Sequence, residues 1–198
     1  MKGVTFLPAT RRISGPWKNG GGVTYEVAAF PPGSGPAAFL WRISIAEIKE
    51  AAHFSMFPGI DRILTMLDGT LKLTVSEEAV TLCPQSPPYP FSGDVAAAGE
   101  PLMGHVRDLN VMVARGRWRA SIVRIGPAHR QTVVMTAHST VLISRGEAEV
   151  HLREDQKALR LAPLDAVQFD ALVSSLTLTT EAPVLVVGLD PISSAEGG

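Results

Sequence analysis

The sequence predicts an all-β fold with little helix, built from two jelly-roll-like β-barrels in one chain of 198 residues. The first observation is that apolar runs are short, roughly five to eight residues, and rich in β-branched side chains, which is typical of strands. The second is that 15 prolines and 18 glycines divide these runs, as turns do in sandwiches and barrels. The third is that the two halves of the chain repeat one order of strands and turns, which indicates two barrels of similar construction.

Strands are predicted where apolar and β-branched residues alternate with polar ones or form a short continuous run. In chain order they are GVTYEVAAF (22–30), FLWRISIAEI (39–48), DRILTMLDG (61–69), TLKLTVS (70–76), LNVMVARG (109–116), QTVVMT (131–136), TVLISRG (140–146), EAEVHLR (147–153), DAVQFD (165–170), LTLTT (176–180) and APVLVVGLD (182–190). Helical periodicity is weak, and IAEIKEAAHF (45–54) predicts one short turn at most.

The internal repeat sets the predicted domain organisation. LTMLDGTLKLTV (64–75) aligns with VLISRGEAEVHL (141–152), each with a glycine at the turn, and a proline bend and a final apolar strand follow in both halves. Matching points lie roughly 75 residues apart. We therefore predict an N-terminal barrel over 1–118, which carries the ligand-site motifs, and a C-terminal barrel over 119–198. The segment that ends at FLWRISIAEI completes the first barrel or bridges the two.

The composition excludes several classes of partner. Hydrophobic residues make up 45% and charged residues 19%, as in globular proteins generally. With a net charge of −1, the chain is expected to bind neither nucleic acid nor an acidic membrane surface. The single cysteine, Cys83, forms no internal disulfide, which agrees with a reducing compartment. No signal peptide and no membrane-spanning run is recognised, so a cytoplasmic location is predicted.

Motifs for metal, nucleophilic and nucleotide chemistry are missing from the sequence. No His-x-His pair occurs among His53, His105, His129, His138 and His151, so neither a metal nor another cofactor is predicted. No G-x-S-x-G elbow marks a nucleophilic serine. The NGGG run (19–22) does not match a phosphate-binding loop, because Lys18 precedes the glycines and a strand follows them.

Polar side chains recur on one face of several predicted strands. Alternation groups Thr24 with Glu26, Arg42 with Ser44, Arg62 with Leu64 and Met66, and Asp108 with Asn110 and Met112. Each face alone could point to water, but together they can line the lumen of a small barrel, which must be filled. Because guanidinium groups bind carboxylates through paired hydrogen bonds, this lumen predicts a small anionic ligand that also carries an amide.

Five motifs in order resemble the HutD/Ves family of bicupin proteins. They are PWKNGGGVTYEVAAFP, FLWRISIAEI, FSMFPGIDRILTMLDG, PFSGD and RDLNVMVAR, and they run from about Ile13 to Arg115. The second half of the chain is similar to the family only in pattern. Tyr25 stands where the family often has Arg, but alternation places this position on the apolar face, away from the expected site.

The resemblance implies a metal-free bicupin associated with histidine utilisation. Such a protein is expected to bind a small acid of that pathway, such as N-formylglutamate or urocanate, and to moderate expression of the pathway. In the NGGG run, backbone N–H groups would then approach the ligand, with Lys18 and Asn19 supplying a cation and an amide; a hairpin turn at Asn19-Gly20 is compatible with this role. The expected ligand-binding residues are Trp17, Lys18, Asn19, Gly20, Gly21, Thr24, Glu26, Arg42, Ser44, Phe57, Arg62, Asp94 and Asn110.

Two other functions stay open. A metal-independent isomerase or hydrolase would use Glu26 as general base, with Arg42 or Lys18 holding the substrate. A purely structural interaction module would bind no ligand. The sequence also leaves open whether the chain forms a homodimer.

Overall fold

The fold is nearly all β, as predicted. The computed structural model describes residues 3–17, 19–35, 38–152, 158–171 and 173–193. Within these ranges the chain forms β-strands and one short 3-10 helix at Ala9–Arg11, and no α-helix. The strands are β1 (Val4–Leu7), β2 (Ser14–Pro16), β3 (Gly22–Phe30), β4 (Trp41–Ile48), β5 (Ala52–His53), β6 (Ile60–Asp68), β7 (Leu71–Val75), β8 (Glu78–Leu82), β9 (Tyr89–Ser92), β10 (Ala97–Pro101), β11 (Val106–Ala114), β12 (Trp118–Ile125), β13 (Ala128–Val134), β14 (Ser139–Ser144), β15 (Ala148–His151), β16 (Leu159–Leu161), β17 (Ala166–Asp170), β18 (Ser175–Thr180) and β19 (Val184–Pro191). The predicted all-β class is therefore confirmed.

The chain divides into two compact units. The first unit is Arg12–Trp118, and the second is Arg119–Gly198 together with Met1–Arg11. The N-terminal strand belongs to the second unit because β1 pairs antiparallel with β17. The sequence-based division placed residues 1–11 in the first barrel instead. A strand of four residues contains nothing that identifies so distant a pairing partner.

Two sheets enclose the apolar core of the first unit. The larger sheet has the strand order β2-β3-β4-β11-β6-β9, and the smaller has the order β5-β10-β7-β8. Leu64 and Val106 from the larger sheet meet Leu71 and Leu73 from the smaller one in this core. All four side chains are fully buried, and each such burial stabilises the fold by about 1.5–3 kcal/mol before conformational entropy is subtracted.

The second unit repeats this arrangement. Its sheets have the orders β1-β17-β14-β19-β12 and β13-β18-β15-β16. The run β12-β19-β14-β17 therefore matches β4-β11-β6-β9, and the two smaller sheets match strand for strand. Leu142 and Phe169 from one sheet meet Val150 and Leu178 from the other in its core. Strands β14 and β15 are equivalent to β6 and β7, which are the strands that the sequence repeat aligned with them.

The larger sheet of the first unit carries the polar face that alternation predicts. Across its strands, one row consists of Arg42, Met112 and Arg62, the next of Glu26, Ser44, Asn110 and Leu64, the third of Ala46, Asp108 and Met66, and the fourth of Ile48 and Val106. Residues in register across neighbouring strands point to the same side of a sheet. This side of the sheet is therefore polar at one end and apolar at the other. The apolar end packs into the core, and a space remains beside the polar end.

Candidate functional site

A cavity of about 640 Å³ lies in the first unit at the polar end of this sheet face. Its volume falls in the range of small-molecule sites. Ile13 at its edge is 85% exposed, so the cavity opens to solvent. The cavity is lined by Ile13, Ser14, Gly15, Pro16, Trp17, Asn19, Thr24, Glu26, Arg42, Ser44, Ala46, His53, Phe54, Ser55, Phe57, Arg62, Asp108, Asn110 and Met112.

Arg62 on β6 is a cation surrounded by aromatic rings. The residue is 5% exposed, and its guanidinium carbon lies 4.6 Å from the ring centroid of Phe91, 5.5 Å from that of Phe54 and 5.6 Å from that of Phe57. Contacts of this kind between a guanidinium and aromatic faces are attractive, more so when water is excluded. They hold the guanidinium at the cavity without neutralising its charge.

The hydrogen bonds of Arg62 use only part of its donor capacity. Its Nη1 donates to the carbonyl oxygen of Ser55 at 3.2 Å, and its Nε donates to Oδ1 of Asn110 at a long 3.4 Å. Burial lowers the pKa of Arg62 to about 10, although the nearby Asp108 opposes this effect. The guanidinium therefore keeps its charge at neutral pH, and no salt bridge joins it to another described residue. An anion entering the cavity would find donors on Arg62 still available.

Asp108 on β11 is the buried carboxyl group of the cavity. The residue is 1% exposed, and neither of its carboxyl oxygens has a hydrogen-bond partner among the described residues. Burial raises the pKa of Asp108 to about 7, with the charge of Arg62 acting in the opposite direction. Buried carboxyl groups without partners are rare, and groups with such pKa values concentrate at functional sites.

Arg42 and Glu26 form an ion pair beside these groups. The Nε of Arg42 donates to Oε2 of Glu26 at 2.8 Å, between the neighbouring strands β4 and β3. Oε2 of Glu26 is thus already engaged by Arg42 within the sheet, which does not favour the general-base role considered for Glu26.

Trp17 forms part of the cavity wall. Its indole Nε1 donates to Oγ1 of Thr24 at 2.7 Å, which links the segment after β2 to β3. Its ring contacts Phe54 edge to face, with centroids 5.6 Å apart. A planar ligand group can pack against such a wall while its charge stays in the polar interior.

The glycine run closes the hairpin between β2 and β3. The N–H of Gly20 donates to the carbonyl oxygen of Trp17 at 3.1 Å, and the N–H of Gly21 donates to Oδ1 of Asn19 at 3.2 Å. Both N–H groups are thus bonded within the hairpin and neither glycine lines the cavity, in contrast to the ligand-binding role expected of them. A Cβ atom on Gly22 would lie 2.5 Å from the carbonyl oxygen of Glu47, so close packing explains that glycine.

Asp94 supports the site from outside the cavity. Its Oδ1 accepts a hydrogen bond from the N–H of Gly59 at 2.8 Å, and its Oδ2 lies 2.6 Å from Nη1 of Arg115. The Gly59 amide, followed by Ser92 and Arg115, lowers the pKa of Asp94 to about 2. Asp94 therefore fixes the turn that follows Phe57 and does not contact the cavity, which differs from its expected place among the ligand-binding residues.

The structure brings most of the expected residues together. Those that line the cavity are Trp17, Asn19, Thr24, Glu26, Arg42, Ser44, Phe57, Arg62 and Asn110. Lys18 lies outside the described residues. Asp108 and Met112 also line the cavity; alternation had placed them on the face of Asn110, although they are not among the expected ligand-binding residues. Strands β2 and β5 are two or three residues long and give no such signal for Ser14 or His53.

The chemistry of the cavity is that of guanidinium, carboxyl, hydroxyl and amide groups. Among the described residues, no three histidine, cysteine or acidic side chains lie together in a way that could hold a metal ion. Within the same described ranges, no helix could cross a membrane.

The comparison with protein families identifies the chain. The HutD family model matches residues 9–186. The chain belongs to the HutD family. The predicted membership is thus confirmed, and the matched range extends through the second unit, where the sequence resembles the family only in pattern.

Three similar bacterial proteins illustrate the relationship. An uncharacterised 21.2 kDa protein in the hutC 3′ region of Pseudomonas putida is 36% identical over 139 residues, covering 69% of this chain and 70% of that protein. Protein Ves of Citrobacter koseri is 36% identical over 108 residues, covering 54% of this chain and 56% of that protein. HutD from Pseudomonas fluorescens SBW25 superposes with a TM-score of 0.80 at 29% identity, over 96% of this chain and all of that one.

The architecture is shared more widely. The bacterial pirin of Escherichia coli, in complex with nickel(II), gives a TM-score of 0.62 at 9% identity over 96% of this chain. At that identity the similarity shows the fold alone, and the fold is cupin-like.

Proposed function

We propose that the cavity of the first unit binds a small carboxylate of histidine degradation, similar to N-formylglutamate or urocanate, and that this binding moderates histidine utilisation in the cytoplasm. Membership in the HutD family supports the pathway, as does the P. putida relative in the hutC 3′ region. The single cysteine, Cys83, supports a reducing compartment. The ligand class is supported by the side chains of the cavity.

The burial of the Arg62 guanidinium with few hydrogen-bond acceptors is the observation that carries the proposal. Removing a guanidinium from water is costly unless an anion or good hydrogen bonds compensate it. The described residues give Arg62 two neutral acceptors, one of them at 3.4 Å, and three aromatic rings. A ligand carboxylate would supply the missing compensation and could bind through two parallel hydrogen bonds.

The remaining polar side chains match the rest of such a ligand. Asn110 and Ser44 lie in register on neighbouring strands, next to the row that holds Arg62. They can donate to and accept from a formamide or an imidazole-derived group. The ring of Trp17 offers an apolar wall for a planar group. Glutamate, with two charges and no amide or ring, would use fewer of these contacts.

Calorimetric titration tests the proposal. N-formyl-L-glutamate, urocanate, formiminoglutamate, glutamate and histidine are titrated separately into wild type and Arg62→Gln. The two named ligand types should bind more tightly than glutamate, and Arg62→Gln should weaken them about ten- to hundredfold, because a charge-assisted hydrogen bond contributes about 1.5–3 kcal/mol.

The matched control is Arg160→Gln, which removes an arginine that is 84% exposed in the second unit. This variant should bind as wild type does. Equal affinity for all five compounds, or unchanged affinity in Arg62→Gln, would contradict the proposal.

A further inference from the structure

We propose that Asp108 couples ligand binding to proton uptake: a carboxylate that binds beside Arg62 enters together with one proton, which Asp108 then holds. The inference rests on the proposed function and adds to it a residue and a proton stoichiometry.

Asp108 and Arg62 lie on the same side of the sheet and line the same cavity. In register, Arg62 lies opposite Met112, and Asp108 is two rows further along β11. The Nε of Arg62 donates to Oδ1 of Asn110, the residue between these two rows. The two groups interact electrostatically, yet no hydrogen bond to a described residue satisfies either oxygen of Asp108.

The protonation of Asp108 sets the charge of the described cavity. The charged and titratable groups that line it are Glu26 on β3, Arg42 on β4, His53 on β5, Arg62 on β6 and Asp108 on β11. Arg42 and Glu26 cancel each other at 2.8 Å. With His53 neutral, an ionised Asp108 balances Arg62 and leaves no formal net charge, whereas a protonated Asp108 leaves one positive charge.

A ligand carboxylate next to Arg62 would favour the protonated form of Asp108. Two carboxylates that share a buried site repel each other, and one of them then takes up a proton. The protonated carboxyl can donate its O–H to a ligand oxygen, which gives the unpaired group a partner. By linkage, a ligand that raises the proton affinity of Asp108 when it binds also binds more tightly at lower pH.

The pH dependence of binding and the number of protons taken up both follow from the Asp108 pKa of about 7 in the free protein. If the bound ligand keeps Asp108 protonated throughout, the apparent Kd should rise about tenfold between pH 6 and pH 8. At pH 8, where about nine-tenths of free Asp108 is ionised, each ligand should bring about 0.9 proton with it.

Calorimetry with N-formyl-L-glutamate measures both quantities, because its carboxyl groups stay ionised from pH 6 to pH 8. At pH 8 the binding enthalpy is measured in several buffers of different ionisation enthalpy, and the slope gives the number of protons taken up. Wild type should show about 0.9 proton. Asp108→Asn, which keeps the shape and can donate an N–H, should bind with no uptake and with a Kd that is unchanged from pH 6 to pH 8.

Two control variants identify the source of the proton. Glu100→Gln removes a carboxyl group whose side chain is 54% exposed on β10, and it should leave the uptake unchanged. His53→Gln removes the histidine that lines the cavity, and it too should leave the uptake unchanged. Uptake that persists in Asp108→Asn, or that disappears in His53→Gln, would overturn the inference.

The possible failures can be told apart. Binding without proton uptake contradicts the role of Asp108 and leaves the proposed function standing, whereas no binding at any pH contradicts both. If Asp108→Asn does not fold, ¹³C NMR of aspartate-labelled wild type at pH 8 gives the answer. Saturation with ligand should move one carboxyl resonance to the protonated position, and a spectrum without such a change would refute the inference.

Discussion

Replacing Arg62 by methionine tests whether the charge of this side chain serves ligand binding or the stability of the fold. Arg62→Met keeps most of the side-chain volume and removes the charge. Lowering a pKa by one unit corresponds to about 1.4 kcal/mol, so the depression of the Arg62 pKa to about 10 corresponds to roughly 3 kcal/mol of unfavourable burial. The substitution relieves this cost and loses the hydrogen bond to Ser55, about 1 kcal/mol, and the aromatic contacts, about 1–2 kcal/mol.

The expected change in the free energy of unfolding is therefore within about 1 kcal/mol of zero. Breaking a satisfied buried ion pair would instead cost about 3–5 kcal/mol. Urea unfolding at pH 6 is the suitable assay, because Asp108, with a pKa of about 7, is mostly protonated there, and removal of Arg62 raises its pKa further. Arg160→Met serves as the control for loss of an exposed arginine and should change stability by less than about 0.5 kcal/mol.

A loss of 3 kcal/mol or more in Arg62→Met would refute the reasoning, because it would show that the folded protein already compensates the guanidinium. Unchanged stability together with lost ligand binding is the expected pair of results. Functional sites often carry groups whose burial lowers stability until a ligand binds.

Three further outcomes can be measured by thermal or urea unfolding. Because the folded state lowers the pKa of Asp94 to about 2, its contribution to stability is present above about pH 4, the ordinary pKa of aspartate, and is lost as the pH falls toward 2; Asp94→Asn should flatten that acid limb. Gly22→Ala should destabilise by more than about 1 kcal/mol, because its Cβ would lie 2.5 Å from the Glu47 carbonyl oxygen, whereas Gly15→Ala, 3.9 Å from the nearest atom, should cost much less. Because the folded state raises the pKa of Asp108 to about 7, the contribution of this group to stability is fully present below about pH 4 and is lost as the pH rises through 7. Asp108→Asn should therefore gain stability relative to wild type between pH 5 and pH 8. A stability difference that stays constant with pH would contradict this.

Alternation along strands predicted the composition of the site well. The side-chain period of two in a strand placed Glu26 with Thr24, and Arg42 with Ser44, without any knowledge of the sheet. The sequence could not show that β4, β11 and β6 are neighbours, because pairing depends on contacts between distant segments. The depth of burial of Asp108 depends on that pairing, so its pKa could not be anticipated.

Three of the expected ligand-binding residues lie outside the cavity lining. Asp94, Gly20 and Gly21 stand in motifs that resemble the HutD family, and that resemblance alone places them among the ligand-binding residues. Asp94 instead bonds to the Gly59 amide, and the glycines close a hairpin. A motif can thus be required for the shape of a loop beside a site as well as for the site itself.

The pairing of β1 with β17 makes the first unit an insertion in the sequence of the second. The five-stranded sheet has β1 at one edge and β12 at the other, and residues 12–118 connect these two edge strands along the chain. During synthesis the first unit can complete its core as soon as Trp118 has emerged, whereas β1 must wait for β17. A fragment that begins at Arg119 would leave β17 as an unpaired edge, prone to association with other chains. Separate production of the second unit therefore calls for residues 1–11 to be supplied by circular permutation or as a peptide.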